Sequence, residues 1–139
     1  MSFFFRNSEI VEFQQLIAHL KSINSDIRLK LPASQYSIQR QVRQIQQSQA
    51  CLQKIQHNAK RTFRRCRTPS TRAVALVLSE VLTETLQLAT NYKMLGEEFA
   101  ADPHGTVDCL NLIHQRSSEL AERLHELEAL EIFKQRRVA

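Results

Sequence analysis

Apolar residues recur at three- and four-residue spacing along four stretches of this chain, as they do along one face of an α-helix. The stretches cover about residues 8–24, 33–66, 71–100 and 106–134. Capping and turn-forming residues separate them: Asn24-Ser25-Asp26 followed by Pro32, then Thr68-Pro69-Ser70, then Asp102-Pro103-His104-Gly105. The pattern therefore predicts an all-α chain.

Two helix starts are marked by capping residues. Asn7 or Ser8 is the predicted N-cap of the first helix, and Ser70 or Thr71 that of the third. Thr68 follows several arginines and precedes Pro69, so it is either a kinase target or part of a helix-breaking turn.

The second predicted helix has an apolar side and a basic side. At about 100° per residue its apolar residues share one side: Ile38, Val42, Ile45, Leu52, Ile55, Ala59, Phe63 and Cys66. Arg43, Lys54 and Arg61 fall within about 20° of one another on the opposite side and line up over about 27 Å. Further polar residues lie within about 40° of this line or belong to the same basic run: Gln47, His57, Arg65 and Arg40.

The last two predicted helices differ in how their apolar residues are spread. The third is apolar over more than one stripe, as expected of a helix buried on two sides. Its run from Ala73 to Leu78 is closed by Ser79 and Glu80, so we expect no membrane span. The fourth carries a coiled-coil-like seam that is either core within the chain or a dimer contact: Leu110, Ile113, Ser117, Leu120, Leu124 and Leu127.

Length and composition agree with one helical domain over residues 1–139. The chain has 139 residues with 2 Gly, 3 Pro, no Trp and 6% aromatic residues, too few turn residues for an all-β protein. We expect a helical hairpin with additional C-terminal helices. The 3 cysteines form no C-x-x-C pair, so neither a disulfide framework nor a zinc site is indicated.

The basic charge is concentrated in the middle of the chain. The formal net charge is +5, and all 14 acidic residues lie outside residues 27–79. A solvated helix face usually mixes both signs, so an acid-free face indicates an anionic partner, with nucleic acid ahead of an acidic membrane or protein. The alternative is the ordinary solvated face of an amphipathic helix.

Catalytic signatures are missing from the sequence. The five histidines show no H-E-x-x-H spacing, and Gly96 and Gly105 do not make a phosphate-binding loop. We therefore predict no enzyme, no cofactor, no metal site and no small-molecule substrate.

Residues 8–80 resemble the RNA-silencing suppressors of insect nodaviruses. The likeness consists of a short amphipathic helix, a loop, a long basic helix, a Pro-Ser break and a helix of small apolar residues. The spacing of Arg43, Cys51, Lys54 and Arg61 is similar to that of the family's RNA-contacting helix residues. The long third helix is a departure, because the family's third helix is short.

The resemblance implies a non-catalytic homodimer whose long helices pair antiparallel into a four-helix bundle along one face of double-stranded RNA. It would bind long duplexes and small interfering RNAs without sequence preference, shield them from dicing and loading, and act in the host cytoplasm. Cys51, about 80° from Arg43, would approach the RNA backbone or simply be a small residue at the edge. A second hypothesis is a helical-bundle adaptor that binds an acidic protein or assembles through the fourth helix.

Overall fold

Five helices make up the described part of the chain in a computed structural model, which covers residues 2–28 and 35–134, with side chains over 9–28 and 37–134. The helices are α1 (Ser2–Arg28), α2 (Gln35–Arg65), α3 (Pro69–Glu98), α4 (Pro103–Glu128) and the short α5 (Glu131–Lys134). These residues contain no strand. The all-α prediction is confirmed.

The four long helices pack as a bundle in which neighbours along the chain run antiparallel. Asp26, near the end of α1, accepts a hydrogen bond from Ser48 at 3.1 Å, whereas Glu12, earlier in α1, meets Arg65 at the end of α2. Helices α2 and α3 are likewise antiparallel, as the pairs Gln49–Thr90 and Val42–Gly96 show. So are α3 and α4, with Glu80–Arg123 and Glu84–Arg116, and α1 and α4, with Lys21–Glu128 and Asn24–Ser117. Helices α1 and α3 also touch across the diagonal.

The apolar seam of α4 packs into the core of its own chain. Leu110, Leu120 and Leu124 are fully buried, and α4 contacts α1 and α3. A single chain therefore supplies all four helices of the bundle, and the seam belongs to the core rather than to a dimer contact. Pairing of two chains remains a prediction.

Helix α1 is longer than the sequence predicted. It begins at Ser2 instead of Asn7 or Ser8, and it continues past Asn24 to Arg28. Asn24 was expected to help end the helix, because asparagine often bonds to the backbone in turns. In the structure its side-chain nitrogen donates to the Leu20 carbonyl at 2.9 Å and to the Thr85 hydroxyl at 3.0 Å, so helix α3 satisfies it inside the core.

Helix α3 is capped by Thr68, not by the predicted Ser70 or Thr71. The Thr68 hydroxyl accepts a hydrogen bond from the Thr71 amide at 3.2 Å, and Pro69 occupies the first turn, where its missing N–H costs nothing. This geometry gives Thr68 a structural role in the turn. Helix α4 likewise begins earlier than predicted, because Asp102 caps the Gly105 amide at 3.1 Å.

The predicted fourth helix is divided near its C-terminal end. Helix α4 stops at Glu128, and a turn at Ala129 and Leu130 leads to α5. Phe133 of α5 is 6% exposed and lines a cavity with Ile17 of α1. The Phe133 ring is therefore part of the core although it follows the turn. The basic residues Arg136 and Arg137 lie outside the described residues.

Helix α3 packs against three neighbours, whereas its broad apolar surface predicted burial on two sides. It contacts α1, α2 and α4. A Cβ atom on Gly96 would lie 2.5 Å from Val42 Cγ2, so glycine allows α2 to approach this closely. By length and composition alone the helix could also cross a membrane, a test that a buried core helix passes too, and 44% of its most apolar window is buried in the bundle. The absence of a membrane span stays a prediction.

Candidate nucleic-acid interface

Helix α2 presents one face to the core and the other to solvent, as its helical phase predicted. Ile45 and Leu52 are 1% and 2% exposed and pack in the core. The residues predicted to contact RNA are all exposed on α2. We call this set the α2 basic face: Arg40, Arg43, Gln47, Cys51, Lys54, His57, Arg61 and Arg65.

The α2 basic face is held on a rigid support. Helix α2 is 31 residues long and packs between α1 and α3. Arg43 and Arg61 are five helical turns apart, with Lys54 between them, so the central row of cations extends about 27 Å at 1.5 Å per residue. Bundle packing fixes the spacing of these charges before any ligand binds.

Acidic side chains reach this face only from its α1 edge, among the described residues. Asp26 accepts hydrogen bonds from Ser48 at 3.1 Å and from Gln44 at 3.4 Å. Glu12 accepts a short hydrogen bond from the Thr62 hydroxyl and forms an ion pair with Arg65 at 3.5 Å. Arg65, predicted as an RNA contact, therefore already has an intramolecular partner.

The remaining ion pairs lie elsewhere on the bundle. Over the described ranges, Arg65 is the one member of the α2 basic face within 4.0 Å of a carboxylate. The other bridges use basic residues of α1 and α4: Lys21–Glu128, Arg116–Glu84, Arg116–Glu119 and Arg123–Glu80. Within residues 9–28 and 37–134, most lysine and arginine side chains without a carboxylate partner therefore lie on α2.

Two grooves separate α2 from α1 beside the basic face. The larger one, of about 280 Å³, is lined in part by Gln15, His19 and Arg61. The smaller one, of about 150 Å³, includes His19, Ser22 and Cys51. The sequence analysis did not predict that Gln15, His19 and Ser22 of α1 lie beside the α2 basic face. Their spacing of i, i+4 and i+7 marks one helical edge, but nothing in the sequence showed that this edge lies beside α2.

The cysteines have different environments. Cys51 is exposed on α2 and lines the smaller groove. An RNA backbone could therefore reach it, as the sequence analysis predicted. Cys66 is buried, its thiol donates to the Thr62 carbonyl at 3.2 Å, and burial raises its pKa. Cys66 therefore behaves as a small core residue rather than a nucleophile.

No group of three or more His, Cys, Asp or Glu side chains in the described ranges is placed to hold a metal ion. Burial, and then the nearby charge of Arg28, lower the pKa of His114, whose Nε2 atom is buried with no partner among the described residues. The arrangement that the structure offers to a ligand is the row of cations on α2.

Comparison with known proteins identifies no relative of this chain. No family model, curated protein or solved structure matches this chain. The likeness to nodavirus suppressors thus rests on the residues of α2 and its flanks.

Proposed function

We propose that this chain binds double-stranded RNA without sequence preference through the α2 basic face. The observation that carries the proposal is the exposed row of Arg43, Lys54 and Arg61 on a helix without acidic residues. Phosphates recur along a duplex, and cations spaced along a rigid rod neutralise several of them at once. Such contacts fix position and affinity without reading bases.

Duplex RNA fits this surface better than single strands do. Proteins that bind single strands commonly stack bases on aromatic side chains, whereas His57 is the sole ring on the α2 basic face as defined above. A-form RNA hides its base edges in a deep major groove and exposes phosphates and 2′-hydroxyls across a shallow minor groove. A convex helix bearing Arg, Lys and Gln suits that exposed backbone.

The biological role that we propose is suppression of RNA interference in the host cytoplasm. A protein lying along long duplexes or small interfering RNAs would shield them from dicing and loading, with no catalysis, cofactor or small-molecule substrate. The resemblance to nodavirus suppressors supports this role. In the proposed homodimer, a second α2 related by a two-fold axis would extend the row of cations along the duplex.

The adaptor hypothesis shares the same surface but predicts a different ligand. An acidic protein could also bind the α2 basic face, although assembly through the seam of α4 is disfavoured because that seam is buried in the chain's own core. Binding of an acidic protein requires no preference among nucleic acids.

A binding titration separates the two hypotheses. Fluorescence anisotropy with a random-sequence 21-pair RNA duplex, the matching DNA duplex and both single strands should show tightest binding to duplex RNA, unaffected by scrambling its sequence. Absent binding, or equal weak binding to all of these, would reject the RNA-duplex proposal. Light scattering at micromolar concentration tests the homodimer, since a strictly monomeric particle would contradict it.

A further inference from the structure

Helix α1 presents a polar edge beside the α2 basic face. Gln15, His19 and Ser22 are exposed and line the two grooves between α1 and α2. His19 contributes to both grooves, the larger one together with Arg61 and the smaller one together with Cys51. The edge therefore lies beside α2 from Cys51 to Arg61, and Arg61 is the member of the cation row that lines a groove with it.

The two sides of these grooves differ in chemistry. The α2 side of the larger groove carries the positive charge of Arg61 and Arg65, which phosphate oxygens prefer, whereas the α2 side of the smaller groove is neutral. The Glu12 carboxylate lines the α1 side of the larger groove, where it pairs with Arg65. The α1 edge offers an imidazole, an amide and a hydroxyl, each able both to donate and to accept a hydrogen bond. A ribose 2′-hydroxyl is likewise both donor and acceptor, and it lies beside the phosphates on the minor-groove side of A-form RNA.

We infer that the α1 edge formed by Gln15, His19 and Ser22 binds the 2′-hydroxyls of a duplex whose phosphates lie on α2. This inference rests on the proposed RNA binding and assigns its RNA-over-DNA selectivity to α1. The cations of α2 bind any phosphate backbone and supply affinity. The α1 edge adds hydrogen bonds only to a backbone that carries 2′-hydroxyls. His19 is central because it lines both grooves.

The test compares an RNA duplex with the same duplex bearing 2′-O-methyl groups, which keeps the A-form but removes the hydroxyl donor. Wild-type protein should prefer the unmodified duplex, and His19→Ala should reduce that preference about three- to tenfold, the effect of one or two lost hydrogen bonds. His19→Gln, which keeps a donor and an acceptor, should retain part of the preference. His125→Ala, which removes an exposed histidine of α4, should retain all of it.

The outcomes distinguish this inference from the proposed function. If wild-type protein binds neither duplex, the proposed function fails. If it binds duplex RNA, and Arg61→Ala weakens binding, but His19→Ala leaves the ratio of the two affinities unchanged, the proposed function stands and the inference about α1 is wrong. Equal affinity of wild-type protein for the two duplexes would overturn the inference as well. Since His19 is exposed, its substitutions should not change the melting temperature, which circular dichroism checks.

Discussion

Glu12 of α1 and Arg65 of α2 form an ion pair at 3.5 Å, at the C-terminal end of the α2 basic face. Arg65 is 62% exposed and Glu12 is 39% exposed, so solvent screens the pair and it contributes little to folding. Its carboxylate does, however, place a negative charge beside a surface that we expect to contact phosphates. If the chain binds RNA as proposed, the pair should limit that binding more than it stabilises the bundle.

Replacing Glu12 with glutamine should tighten binding to duplex RNA. The substitution frees Arg65, removes a charge that repels phosphates, and keeps a side-chain acceptor for Thr62. We expect about a two- to fivefold gain in affinity at low salt, which shrinks as salt screens the charges. Anisotropy titrations at two salt concentrations measure it, with Glu126→Gln on the exposed surface of α4 as control. Weaker binding by Glu12→Gln would show that the carboxylate positions Arg65 instead of competing for it.

A buried polar contact between α1 and α4 should be important for stability. The Ser117 hydroxyl donates to Asn24 Oδ1 at 2.8 Å, and both side chains are fully buried. Ser117→Ala leaves that oxygen without this donor and should lower the free energy of unfolding by about 1–3 kcal/mol. The neighbouring Ser118 is exposed, so Ser118→Ala should change stability by less than about 0.5 kcal/mol. Urea denaturation measures both, and equal effects would contradict the assigned role.

The close approach of α2 to α3 can be tested at Gly96. Alanine there would place its Cβ 2.5 Å from Val42 Cγ2, and valine is stiff about its first side-chain torsion. We expect Gly96→Ala to lower the free energy of unfolding by about 1–3 kcal/mol through overcrowding. Val42→Ala removes the clashing methyl groups, so the double variant should be more stable than the sum of the two single effects predicts. Strict additivity in thermal denaturation would exclude the contact.

His114 should make the fold less stable in mild acid. Burial and the charge of Arg28 lower its pKa in the folded state below the ordinary value of 6.5, so the unfolded chain takes up a proton first as the pH falls. The free energy of unfolding should therefore decrease as the pH drops below about 6.5, until the folded state is protonated as well. His114→Gln should flatten this part of the decrease between pH 7.5 and 5.5, whereas His125→Gln should not. Urea denaturation at several pH values measures this. If the free energy of unfolding depended on pH in the same way for wild type and His114→Gln, the prediction would be wrong.

The division of α2 into two faces could be predicted from the sequence because the helix is long and regular. Steps of about 100° placed Ile45 and Leu52 in the core and Arg43 and Lys54 in solvent, and the structure agrees. The same arithmetic needs no knowledge of neighbouring helices. Charge and exposure on one helix are therefore accessible to sequence analysis.

Features that depend on two helices could not be predicted in this way. Asn24 was expected to end α1, but a hydroxyl from α3 satisfies it. The partner of Arg65 and the grooves lined by His19 depend on the height at which α1 packs against α2. Sequence periodicity identifies which face of a helix is buried, but it does not specify which residues of another helix lie opposite.

A charge-matched pair of substitutions tests the central claim most directly. Lys54 lies in the middle of the cation row, whereas Lys134 is an exposed lysine on α5, which packs near α1 and α4. Lys54→Gln and Lys134→Gln lower the net charge equally, so only the position of the lost charge differs. Neither should change the melting temperature, because both side chains are exposed.

The decisive measurement is the salt dependence of duplex-RNA affinity for these two variants and the wild type. The proposal predicts that Lys54→Gln weakens binding and reduces the slope of log affinity against log salt by about one, the loss of one phosphate contact. Lys134→Gln should match the wild type. An unchanged slope for Lys54→Gln, or the same loss for both variants, would contradict RNA binding by the α2 basic face.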